Sequence, residues 1–169
     1  TKFYSRKEIK DIMAYLKAIA NPADEISVER ALGTPKRGVG ESSWNKIVQF
    51  ARENNLTILQ AMLAAEESGL SKKYAQIVYS FALLLENFRE MSPTSEVTPL
   101  VEYILNESGY LQALEAEKTV EAETRIENLK EFLSITKAFD VRSDDGGKTL
   151  AAFLAEVALF TDLDDMEEN

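Results

Sequence analysis

The 169-residue sequence contains neither cysteine nor histidine. The first absence excludes disulfides and thiolate metal sites, and the second removes imidazole catalysis and the usual zinc ligand sets. Most hydrolytic mechanisms go with them. No apolar run approaches the length of a membrane span, and Thr1-Lys2-Phe3-Tyr4-Ser5-Arg6-Lys7 leads into no hydrophobic region of the signal-peptide kind. A cytoplasmic chain with no membrane partner is the expectation. Basic residues are outnumbered, 19 against 29 acidic ones, for a formal net charge of -10. Taken globally, that balance argues against nonspecific binding to a polyanion. Neither a period-two strand pattern nor an internal repeat is found.

What is present is helical periodicity nearly throughout. Ile9, Ile12, Met13, Leu16 and Ile19 share one face of a helix from about Arg6 to Ala20, stopped by Asn21-Pro22. Asp24 is placed to cap a short helix that ends near Gly33, and Thr57 to cap a fourth helix. Tyr74, Ile77, Val78, Phe81, Leu84, Leu85 and Phe88 form the longest stripe, from a Ser71 cap to about Met91, and predict the central helix. Thr98-Pro99 reads as a cap followed by proline at the first helical position. Further helices are expected over Tyr110 to Glu117 and about Val120 to Phe139. A last helix has Leu150, Phe153, Leu154, Val157 and Leu159 inward. The expected fold is all-α, a compact multi-helix domain of about nine helices in one unit over 1–169. Asp140 to Lys148 is the expected flexible loop, and 161–169 an acidic frayed tail.

Thr34-Pro35-Lys36-Arg37-Gly38-Val39-Gly40-Glu41-Ser42-Ser43 holds the densest chemical information. Two glycines flank one valine, and Trp44 and Ile47 follow at helical spacing, the layout of a helix-hairpin-helix. The glycines permit a tight turn, Val39 plugs the core, and unpaired N–H groups at the start of the next helix can face a phosphate. Arg30, Lys36, Arg37 and Lys46 surround the turn with Glu41 as the only acid between Arg30 and Lys46. A Debye length of about 8 Å at physiological salt lets such a patch act locally despite the global charge. A plain interhelical turn, capped by Ser42 or Glu41, is the competing reading.

Two other candidates fare worse. Gly146-Gly147-Lys148-Thr149 mimics the end of a phosphate-binding P-loop, but Arg142 stands where the first glycine is needed. Two aspartates, Asp144 and Asp145, precede it in place of a buried strand. Lys148 or Thr149 is instead the expected start of the last helix. Glu121, Glu123, Arg125, Glu127, Asn128 and Glu131 offer paired carboxylates. Their i,i+4 spacing suits a solvated helix face better than acid-base catalysis or a metal.

Phe3 to Ile12, Leu16 to Pro22, Thr34 to Gly40, and Glu123 to Phe132 stand in an order that resembles successive blocks of the UvrD/Rep-type superfamily 1 DNA helicases. The resemblance spans nearly the whole chain and points to subdomain 2B, with residues 1–8 as a possible border to 2A. It implies a parent ATP-dependent 3'-5' DNA helicase whose ATP and magnesium are handled elsewhere, so that this chain alone holds no cofactor, metal or catalytic residue and is inactive. It further implies that the glycine hairpin contacts duplex DNA near a single-strand/double-strand junction. Thr34, Pro35, Lys36, Arg37, Gly38, Val39, Gly40, Ser42, Ser43 and Lys46 are the residues so assigned. The family's isoleucine between the glycines is Val39 here, and Glu41 follows the second glycine. Other helicase subdomains and regulatory proteins are implied partners. The alternative is a protein-interaction or autoinhibitory module with no significant DNA binding of its own. If the unit is inserted into a neighbouring domain, its two ends should leave the same side.

Overall fold

Nine α-helices and three short 3-10 turns make up the described residues of the computed structural model, 2–143 and 149–168, and no strand occurs among them. The first helix, α1 (Lys7–Ala20), ends where Asn21 N–H reaches the Lys17 carbonyl at 2.9 Å and Pro22 has no donor to continue the ladder. Asp24 caps α2 (Glu25–Leu32) by accepting the Ser27 N–H at 3.1 Å. After the glycine segment comes α3 (Glu41–Glu53). A capping box opens α4 (Ile58–Leu63): the Thr57 hydroxyl accepts the Gln60 N–H at 3.1 Å, and the Gln60 side chain accepts the Thr57 N–H at 2.9 Å.

The long α5 (Lys72–Met91) is followed by α6 (Val97–Glu107), α7 (Tyr110–Glu117), α8 (Val120–Arg142) and α9 (Leu150–Glu168). Gly109, between α6 and α7, has φ +80°, a conformation that a side chain would strain. Thr119 caps α8 through the Ala122 N–H, and the Thr149 hydroxyl accepts the Ala152 N–H at 3.1 Å in the first turn of α9. Thr149 therefore starts a helix, while Gly146, Gly147 and Lys148 lie outside the described residues.

The hub is α1, not α5. It packs against α2, α5, α6, α8 and α9. The reading of α1 as a one-faced helix fails because Glu8 and Asp11, which belong to its polar face by spacing, are 3% and 1% exposed. Around α1 the core is continuous. Tyr15 meets Phe81 and Phe88 edge-on with centroids 6.0 and 6.5 Å apart, and Phe153 meets Phe132 and Phe139 at 5.9 and 5.3 Å.

Four expectations need correction. Ser71 precedes α5 without making a side-chain cap bond. Thr98 is not the cap of α6, which begins one residue earlier. The Asp140 carboxylate, arriving from α8, accepts the Val97 and Thr98 N–H groups at 3.0 and 2.9 Å. A charged acceptor at a helix N-terminus is favoured by the dipole as well as by the orphan donors. Asp140 thus belongs to a helix, not to the expected loop, whose residues 144–148 lie outside the described set. Leu159 points away from the core and is 63% exposed.

The acidic residues from 161 onward continue α9 as helix to Glu168. Lys2 Nζ donates to the Asp164 carbonyl at 2.7 Å and lies 3.7 Å from the Asp165 carboxylate, while Tyr4 packs edge-on against Phe160. The first and last described stretches are therefore side by side.

Candidate nucleic-acid interface

The segment joining α2 to α3 has an inner and an outer face. Gly38 has φ +84°, and a Cβ built there would meet nothing within 4 Å, so glycine is needed for the backbone angle alone. Gly40 differs: at φ -89° and ψ 179° it is ordinary extended backbone. Its contribution is to occupy the N-cap of α3 without a side chain. The capping by Ser42 or Glu41 that belongs to the plain-turn reading is not made, and the Glu41, Ser42 and Ser43 side chains have no hydrogen-bond partner among the described residues. The first-turn N–H groups of α3 consequently have no side-chain cap, and Trp44 N–H is the first to close the ladder, at 3.0 Å from the Gly40 carbonyl.

Lys36, Gly38, Gly40, Ser42 and Lys46 lie on the exposed side, with Ser43 half-buried. Lys36 and Lys46 make no ion pair among the described residues. Trp44 and Ile47 are buried at 5% and 0% exposure, and Val39 is half-buried against the core, as the spacing predicts.

Arg37 departs from its sequence-based assignment. Its guanidinium turns inward and makes five hydrogen bonds. Nη1 donates to the Ala31 and Leu32 carbonyls at 2.9 Å each and to Pro35 at 3.2 Å; Nη2 donates to the Tyr15 hydroxyl at 3.0 Å and the Ser108 carbonyl at 3.1 Å. The cation also lies 4.4 Å above the Phe81 ring. Ala31 and Leu32 end α2 and Ser108 ends α6, so two helix C-termini converge on one positive charge. Thr34 and Pro35 face the same way. The Thr34 carbonyl accepts from the Tyr15 hydroxyl, its own hydroxyl donates to the Arg30 carbonyl at 3.0 Å, and Pro35 Cγ is 3.8 Å from a Cβ built on Gly109. Burial raises the Tyr15 phenol above its ordinary pKa, against the lowering effect of Arg37.

Arg30 is also withdrawn from the outward patch. Its Nε donates to the Asp11 carboxylate at 2.9 Å, where Lys7 Nζ at 3.0 Å and the Tyr110 hydroxyl at 2.6 Å also donate. Beside it, Glu8 accepts the Asn128 amide at 2.6 Å, and Asn128 accepts from Arg6 at 2.7 Å. Two of the sequence blocks, those starting at Phe3 and at Glu123, thus meet as a polar clasp between α1 and α8. Burial, followed by the bond to Asp11, raises the Tyr110 pKa strongly. Most of the acidic face of α8 is solvated as expected, but Asn128 is not part of that face. Near the hairpin, burial and then the charge of Glu41 raise the Glu29 pKa. No group of three or more acidic side chains placed to hold a metal occurs among the described residues, and none of their helices is long and apolar enough to cross a membrane.

Tyr15 and Ser108, which hold the hairpin from beneath, escape sequence reasoning because they lie 22 and 71 residues from Arg37. A lone tyrosine on an apolar stripe carries no signal of such a role.

The family model for the UvrD-like helicase C-terminal domain matches residues 1–169. The chain is 46% identical over 168 residues to the ATP-dependent DNA helicase PcrA of Bacillus subtilis strain 168, covering 99% of this chain and 22% of that protein. Against the PcrA helicases of Staphylococcus epidermidis strain RP62A and Staphylococcus aureus strain Mu50, identity is 38% and 39% over 166 residues, 98% of this chain and 23% of each relative. The chain therefore spans less than a quarter of the length of these relatives.

Proposed function

Because the chain belongs to the UvrD-like helicase C-terminal domain family, we propose that it is the 2B-type accessory subdomain of an ATP-dependent 3'-5' DNA helicase. In this reading it grips the backbone of duplex DNA near the single-strand/double-strand junction. The observation that carries the reading is the exposed edge of the α2–α3 hairpin, with uncapped N–H groups at the start of α3 between Lys36 and Lys46, which form no ion pair among the described residues. Backbone donors and two flexible ammonium groups recognise phosphate without reading bases, so binding is independent of sequence. Gly38, Gly40, Ser42 and Ser43 line the grip. Thr34, Pro35 and Val39 shape it from within.

Energetically the grip is small. Two lysines neutralise about two phosphates, which gives a salt slope of about -1.8 on a logarithmic plot. The -10 net charge of the whole chain opposes close approach elsewhere. ATP, magnesium and strand separation are assigned to the remainder of the parent protein, in the cytoplasm. The adjacency of Lys2 to Asp164 and Asp165 supports a unit inserted into a neighbouring domain.

Titration of a fluorescent tailed duplex with the 169-residue chain over a range of salt tests the proposal. The double variant Lys36→Glu/Lys46→Glu should abolish the salt-dependent binding; duplex affinity unchanged by that double reversal would refute the phosphate grip. One observation favours the interaction-module reading as a second role. On α9, Leu159, Phe160, Leu163 and Met166 are 63%, 51%, 53% and 73% exposed, an apolar surface suited to contact with other helicase subdomains or regulatory proteins.

A further inference from the structure

We propose that Arg37 is the positioning residue of the hairpin: it does not touch nucleic acid, and it fixes the outward backbone by binding the ends of α2 and α6 from below. The proposal rests on the phosphate-grip reading for its functional consequence, but its structural part stands separately. Lys36 and Arg37 are neighbours in sequence with opposite fates. Lys36 is exposed and makes no ion pair among the described residues, whereas the Arg37 donors are spent on the Ala31, Leu32, Pro35 and Ser108 carbonyls and the Tyr15 hydroxyl.

The chemistry requires arginine. A planar guanidinium presents a fixed fork of donors and stacks on an aromatic face, whereas an ammonium offers three donors from a point and cannot bridge carbonyls on three elements while covering Phe81. The carbonyls it satisfies at the end of α2 belong to residues that immediately precede the loop, and Ser108 lies in the α6–α7 turn against which Pro35 packs. The hairpin is therefore seated on two supports. Its glycines have no side chains with which to hold themselves, so their order is supplied by Arg37. Preorganisation of this kind lowers the entropy cost of closing an outward loop on a phosphate.

The test uses the 169-residue chain with Arg37→Lys, Arg37→Met and, as control, Lys36→Ala. NMR order parameters are read at Gly38, Val39 and Gly40, and duplex affinity is read against salt. In both Arg37 variants the order parameters should fall from about 0.85 towards 0.6 or lower. Affinity should drop about tenfold with the salt slope unchanged, while Lys36→Ala should lower the slope by about 0.9 and leave the hairpin ordered. Arg37→Met that lowers the slope as Lys36→Ala does, with the hairpin still ordered, would make Arg37 a phosphate contact and overturn the proposal. So would Arg37→Lys that leaves both order and affinity intact. If the unsubstituted chain binds no duplex at any salt, the phosphate grip falls and the order parameters alone decide the positioning role. Should Arg37→Met fail to fold, Tyr15→Phe replaces it. That variant keeps the ring against Phe81 and Phe88 and removes the hydroxyl between Arg37 and Thr34. Loosening of the hairpin then supports the proposal, and an unchanged hairpin overturns it.

Discussion

The hairpin between α2 and α3 and the clasp between α1 and α8 both turn charged side chains inward, but with opposite signs and opposite consequences. At the hairpin a half-buried cation is held by backbone carbonyls, while the segment's two lysines stay exposed. At the clasp two carboxylates, Glu8 and Asp11, are buried among an arginine, a lysine, an amide and a phenol. A carbonyl-bound guanidinium satisfies groups that would otherwise be orphaned at helix ends. A buried carboxylate is tolerated only while all its partners stay. The hairpin is thus built to present a surface and the clasp to hold helices together.

Substitutions that separate the two regions sharpen this contrast. Asp11→Ala removes the acceptor of Arg30 Nε and leaves the buried Tyr110 hydroxyl without its partner, and should cost about 2 kcal/mol in urea unfolding. Its duplex salt slope should match that of the unsubstituted chain; a changed slope would mean that the two regions are not independent. Lys36→Glu/Lys46→Glu should show the reverse, a duplex affinity lower by about tenfold or more with a salt slope near zero. Its unfolding free energy should move by no more than about 0.5 kcal/mol, the usual range for exposed sites.

Gly38→Ala falls between these extremes. Because a Cβ there meets no neighbour, the cost is conformational only, about 1 kcal/mol from φ +84°. Gly40→Ala, at an ordinary φ, carries no such strain and should cost only the N-cap difference between glycine and alanine, about 0.5 kcal/mol, in the same denaturation experiment. Equal costs would break the distinction drawn between the two glycines.

The smallest effect is a pH dependence at the clasp. The Tyr110 pKa is raised in the folded state, so the protonated phenol is the favoured form there. Its contribution is complete below the ordinary phenol pKa of about 10 and declines as pH rises above it. Unfolding midpoints measured from pH 8 to about 11 should fall more steeply for the unsubstituted chain than for Tyr110→Phe. Parallel profiles would remove Tyr110 from the account.

Much of this architecture was legible in local sequence. The caps at Asp24 and Thr57 each act within three residues, so spacing alone predicts them. Prediction failed where a polar residue finds a distant partner. Thr98 reads as a cap because it precedes Pro99, yet the cap is Asp140. Glu8 and Asp11 fall outside the apolar stripe of α1 by spacing, yet both are buried, whereas α5 is the expected centre because its stripe is the longest. Arg30 reads as a surface cation because its acceptor, Asp11, is 19 residues away, and Arg37 because the Tyr15 and Ser108 groups that complete its shell of nearby carbonyls lie 22 and 71 residues away.

By itself, the sequence determined the all-α class, the helix boundaries to within a few residues, the lack of cysteine and histidine chemistry, and the need for glycine at position 38. These follow from interactions spanning a turn or less. Only the tertiary structure decided which charges face water. A cation and a carboxylate have the same local signature whether solvated or buried. Their fate depends on acceptors and donors brought from 19 to 120 residues away, as with Arg30 on Asp11 and Asn128 on Glu8. For the hairpin this left Lys36 outside and Arg37 within, a division set by where the ends of α2 and α6 meet.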